Sequence, residues 1–189
     1  MDPIAPVTGL IDKAEELIGH SPHTAIVSLP IGALAVSNVS DGLAVLTGDR
    51  RFDAAARVSM AVGLVGAAGA VVTGLRDYSF IDKDKPSHEV ATSHGLGNAL
   101  VGSLFAASYI LRARDHARGR RPGFLARAFG LAGGGLMLYT AWLGGVLVSD
   151  YGESVKPVME HQDDEERHDD SARGRERLSA HSPLGREHH

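Results

Sequence analysis

Residues 128–149 read AFGLAGGGLMLYTAWLGGVLVS, 22 residues without an acidic or basic side chain, held between Arg127 and Asp150. A helix needs about 20 mostly apolar residues to cross the hydrocarbon core of a bilayer. A soluble helix of that length wets one face, so charges recur along it at helical spacing; none recurs here. Gly133, Gly134, Gly135, Gly144 and Gly145 crowd the stretch. That much glycine weakens a helix in water, whereas in lipid small residues let helix backbones approach closely. The stretch reads as a membrane span.

Three more stretches pass the same test. Residues 58–75 carry no charge between Arg57 and Arg76, residues 90–111 are uncharged apart from His94, and between Glu16 and Asp41 the 24 residues include no ionisable group except two histidines. The expected fold is therefore all-α: a four-transmembrane-helix bundle with spans at about 24–46, 58–75, 90–111 and 128–149 inside a membrane domain of 24–151. Residues 1–23 read as a short interfacial segment in which Leu10, Ile11, Ala14, Leu17 and Ile18 form an apolar stripe. They lack the basic start and small-residue cleavage site of a signal peptide. The near-neutral mean hydropathy of the whole chain hides a split: residues 152–189 hold ten acidic, six basic and five histidine side chains and few large apolar ones, and read as a disordered polar tail.

Basic residues set the direction of insertion. The two loops that join spans one to two and three to four carry nine arginines (Arg50, Arg51, Arg57, Arg112, Arg114, Arg118, Arg120, Arg121 and Arg127), against five basic residues on the other side, interleaved with carboxylates. The expectation is a multi-pass protein of a bacterial-type inner membrane, with both arginine loops cytoplasmic and both termini outside. A net charge of −4 argues against a nucleic-acid partner; the lipid bilayer is the expected one. The absence of cysteine excludes disulfides, cysteine-ligated clusters and covalently attached haem. No phosphate-binding loop, zincin helix or serine elbow is present, and no residue is assigned a catalytic role.

Along span one, His23, Val27, Pro30, Leu34, Ser37, Asn38 and Asp41 share a face, and His23 and Asp41 stand 18 residues apart, about 27 Å along the axis. Asp41 is expected to pair with Arg50, Arg51 or Arg57 or to bond a helix end, and Pro30 to kink the span and free a carbonyl. Gly66 and Gly145 are expected at helix–helix contacts. His94 lies one turn inside span three, with Asn98 on the same face. The topology collects His20, His23, Asp77, His88 and His94 at the outer end, while His116 falls in an arginine loop and reads as solvated.

Three readings of the outer cluster stay open. The histidines are hydrogen-bonded shapers of a helix end; or His23 and His94 are axial ligands of a non-covalent b-type haem, with His20 and Asn98 beside them, Arg76 meeting a propionate, and redox partner proteins exchanging electrons with it; or His20, His23, His88, His94 and Asp77 form a divalent-metal, quinone or proton-relay site. A partner-scaffolding bundle without cofactor is the contrasting class.

Three stretches carry a resemblance: Gly19-His20-Ser21-Pro22-His23-Thr24 followed by Leu29-Pro30-Ile31-Gly32 and Asp41; Thr73-Gly74-Leu75-Arg76-Asp77-Tyr78 followed by His94 and Asn98; and Trp142-Leu143-Gly144-Gly145-Val146-Leu147-Val148 running into Tyr151-Gly152. Together they resemble the domain-of-unknown-function family DUF2231, predicted four-helix bacterial membrane proteins, over about residues 17–155. Ser21 and Thr24 stand where that family usually has proline. The resemblance implies the four-helix fold and no activity. Some members resemble fusions with Rieske-type iron–sulfur domains, which makes electron transfer an expectation.

Overall fold

The computed structural model describes residues 22–152, together with Gly9, Ile11, Lys13 and Leu17 before them. Its helices are α1 (Pro22–Ile26), α2 (Ser28–Thr47), α3 (Arg50–Tyr78), α4 (Pro86–Ala117) and α5 (Phe124–Ser149), with no strand among the described residues. His20 and the tail beyond Gly152 lie outside the described residues, as does most of the N-terminal stripe, of which Ile11 is buried and Leu17 exposed.

Helices α1 and α2 form one span broken at Val27, three residues before Pro30. Pro30 has no N–H and its ring crowds the preceding turn, so the ladder loosens there as expected. The chain still continues through Val27 N–H to His23 O (3.0 Å) and Ile31 N–H to Val27 O (3.3 Å). Four helical stretches are therefore long and apolar enough to cross a membrane: Pro22–Thr47, Arg50–Tyr78, Pro86–Ala117 and Phe124–Ser149. They overrun the expected spans because hydropathy detects only the part that sits in hydrocarbon. At 1.5 Å per residue, 32 residues of α4 reach about 48 Å, more than the roughly 30 Å of a bilayer core.

The helices form two hairpins, α2 with α3 and α4 with α5, which pack extensively within themselves. The hairpins join through α3 against α4 and, more sparsely, α2 against α5, so α2 and α4 face each other across the diagonal. The first hairpin turns in two residues. Gly48 adopts φ +72°, a left-handed conformation that glycine takes without strain. Asp49 then caps α3 by accepting from the Arg51 N–H at 2.8 Å, and that bond holds its carboxyl below the usual carboxylate range.

Polarity runs inside-out. Leu46, Val65, Leu131 and Leu138 are 83%, 76%, 72% and 72% exposed, while Ser37, Ser108 and Thr140 are fully buried. Such a surface suits lipid, and its interior is sealed by small residues and hydrogen bonds. An apolar cluster of Leu34, Met60, Val101, Phe105 and Met137 occupies the middle. Gly66 lies at a helix contact as expected: a Cβ there would meet Pro30 Cδ at 3.1 Å and Leu29 at 3.2 Å. Gly145 does not, since it is exposed and nothing lies within 4 Å of such a Cβ. The contact positions of α5 are Gly130, Gly133, Gly134 and Gly144, where a Cβ would meet a side chain of a neighbouring helix.

Both arginine-bearing turns come to the same end. Asp41 pairs with Arg112, not with the first-loop arginines: Arg112 Nη1 donates to Asp41 Oδ1 at 2.8 Å and Nη2 to Oδ2. Arg112 belongs to the buried part of α4, which runs on to Ala117, past Leu111 at the end of the expected span. Asp53 accepts from Arg121 (2.8 Å) and Arg127 (2.7 Å), and Arg121 also donates to the Gly48 and Ala44 carbonyls that end α2. Here the arginines act as internal ties between the hairpins.

Candidate functional site

The opposite end carries the histidines, and each hairpin ties one of them in the same way. His23 on α1 lies with Nδ1 3.0 Å from Thr73 Oγ1 on α3. The Thr73 hydroxyl is also 3.2 Å from the Gly69 and Ala70 carbonyls. With its proton directed there, Thr73 accepts from Nδ1–H. His94 on α4 donates Nδ1–H to the Thr140 carbonyl of α5 at 2.8 Å, and a carbonyl can only accept. Its Nε2 therefore accepts from Asn98 Nδ2 at 3.0 Å, and Asn98 Oδ1 in turn accepts from the Thr140 hydroxyl at 3.0 Å. His94, Asn98 and Thr140 close a ring of hydrogen bonds across the second hairpin.

Glycine makes room for both imidazoles. A Cβ at Gly74 would stand 2.8 Å from His23 Cε1, and one at Gly144 would stand 3.0 Å from His94 Cε1. Both histidines are half-buried, and the charges of Asp77 and His94 act on His23. Thus His23, His94, Asn98 and Asp77 lie at one end of the bundle, His23 and His94 on diagonal spans.

The remaining candidates sit apart from that pair. Tyr78 OH lies 2.9 Å from His88 Nε2 and 2.8 Å from Thr92 Oγ1, with the Tyr78 and His88 rings 4.8 Å apart. This bond fastens the end of α3 to the start of α4, and it leaves His88 Nδ1 and the neighbouring Ser87 Oγ buried without a partner. Arg76 pairs with Asp77 at 3.3 Å and lies over the Phe80 ring at 5.1 Å. Among the described residues no three histidine, aspartate or glutamate side chains gather as a metal-ligand set.

Sequence reasoning missed the two threonines that orient the histidines. A signal was available: Thr73 immediately precedes Gly74, and Thr140 lies one turn before Gly144, so each hydroxyl-bearing position adjoins the gap that admits a ring.

A family model described as Predicted membrane protein (DUF2231) matches residues 19–157, a stretch that holds every side chain of this site. No curated protein and no solved structure matches the chain.

Proposed function

This chain belongs to the Predicted membrane protein (DUF2231) family, and from that premise we propose that it binds a non-covalent b-type haem at the histidine end, with His23 and His94 as axial ligands. One observation carries the reading. Each imidazole is anchored through Nδ1 to an oxygen of its own hairpin partner, Thr73 or the Thr140 backbone. Histidines that ligate iron commonly donate their other ring N–H in this manner, which fixes the tautomer and turns Nε2 toward the metal. The two histidines belong to different spans, so both could hold one group from side chains on facing helices. On His94 that nitrogen accepts from Asn98, a bond that holding the group would replace. When bound, the group supplies one-electron transfer within the membrane.

Visible absorption of the purified protein after haemin is added, oxidised and then reduced, tests this. The expected result is a Soret band that shifts on reduction, lost in His94→Ala and lost or weakened in His23→Ala, and kept in Gly145→Ala. A wild-type protein with no such band overturns the haem reading. It leaves the second reading, a cofactor-free proton-handling site, which the His94–Asn98 bond and Asp77 near His23 favour.

Orientation belongs to the same proposal: the arginine end faces the cytoplasm, supported by the nine-to-five asymmetry of basic residues. With single cysteines at Lys83 and Arg118, an impermeant reagent added to intact cells is expected to label the first and spare the second. The reverse pattern inverts the topology.

A further inference from the structure

At the arginine end, a cavity of about 180 Å³ opens between the two hairpins. Five arginines line it: Arg50, Arg57, Arg112, Arg120 and Arg121, with His116 and one carboxylate, Asp53, beside them. Three of them have carboxylates already, Arg112 with Asp41, Arg120 with Asp115, and Arg121 with an Asp53 that it shares with Arg127. The side chains of Arg50, Arg57 and His116 make no hydrogen bond or ion pair among the described residues. Like charges gathered around one concave space repel unless an anion lies between them. Guanidinium groups are suited to phosphate oxygens in particular, by their planar fork of donors.

We propose that this cavity holds the phosphate group of an anionic membrane phospholipid. The lipid source is argued from what borders the cavity. Ala54 is part of its wall, and Val58, one residue beyond Arg57, is 59% exposed; Val45 and Leu46 at the end of α2 are 64% and 83% exposed. Cationic lining thus gives way within a turn to apolar surface, the order in which a phospholipid presents headgroup and chains. Basic pockets between helices at the cytoplasmic face are suited to anionic headgroups. The proposal is independent of the histidine end.

The test uses the full chain in nanodiscs of phosphatidylcholine alone or with phosphatidylglycerol, read by native mass spectrometry and by melting temperature. The wild type is expected to retain phosphatidylglycerol and to melt higher in its presence. An Arg50→Gln/Arg57→Gln variant loses that affinity by about tenfold or more. An Arg51→Gln/Arg118→Gln variant, whose side chains lie outside the cavity, retains it. Equal retention by the first variant and the wild type overturns the proposal. So does stabilisation by inorganic phosphate alone with no response to phosphatidylglycerol, which makes the cavity a soluble-anion site. Should the first variant not fold, the wild type decides: retention that falls as sodium chloride rises supports the site, and retention indifferent to salt overturns it.

Discussion

Arg112→Ala is expected to destabilise the bundle by about 3–5 kcal/mol, the scale of removing one partner from a buried ion pair. Arg112 is 1% exposed and meets both oxygens of Asp41, itself 8% exposed. Its Nε donates to Ser108 Oγ at 3.1 Å, and Ser108 donates onward to the Ala126 carbonyl. One guanidinium therefore joins α2, α4 and α5. Truncating it leaves a buried carboxylate without its counter-charge, which costs far more than the intact pair contributes. Asp41→Asn/Arg112→Met, which removes both charges and keeps bulk, is expected to recover much of the loss. Unfolding of the reconstituted chain by denaturant measures both. A loss for Arg112→Ala within about 1 kcal/mol, the scale of an exposed pair, refutes the burial.

The second large effect separates two glycines of α5. A Cβ at Gly133 would stand 2.9 Å from the ring of Phe105, which is fully buried in the apolar cluster, and 3.4 Å from Leu104 Cβ. Gly133→Leu drives a side chain into that ring and is expected to cost about 1–3 kcal/mol or more. Gly145→Leu meets nothing within 4 Å and faces outward, so it is expected to be neutral or stabilising by up to about 1 kcal/mol through helix propensity. Melting temperatures of the two variants in one detergent decide the matter; equal losses refute the assignment of faces.

The four spans were legible because charge is costly in hydrocarbon, so the gaps between Glu16 and Asp41, Arg57 and Arg76, and Arg127 and Asp150 mark them out. The histidine end was legible in part for the same reason. His23 and His94 stand inside apolar stretches where a polar ring must find a partner, and they do come to one end of the bundle. Which partner each finds was not legible. Thr73 and Thr140 act through a hydroxyl and a carbonyl, and a backbone acceptor leaves no mark in composition. Arg112 reads as a loop residue because hydropathy falls where charge begins, whereas the helical ladder runs on to Ala117. Sequence alone misplaces Gly145, since adjacent glycines differ by 100° around the helix and composition does not say which of Gly144 and Gly145 faces inward.

The Asp41–Arg112 pair divides its charges between two hairpins that leave the ribosome at different times. A chain that has delivered only α2 and α3 to the membrane carries a carboxylate in span one with no guanidinium to meet it, because its counter-charge belongs to the second hairpin. The same charge that makes the first hairpin an uncomfortable lipid guest makes it an adhesive one. Docking of the late hairpin removes two penalties at once, and a hairpin that never finds its mate keeps an ionisable group where lipid tolerates it poorly. Each hairpin thus carries one half of a charge pair that only the other hairpin can neutralise.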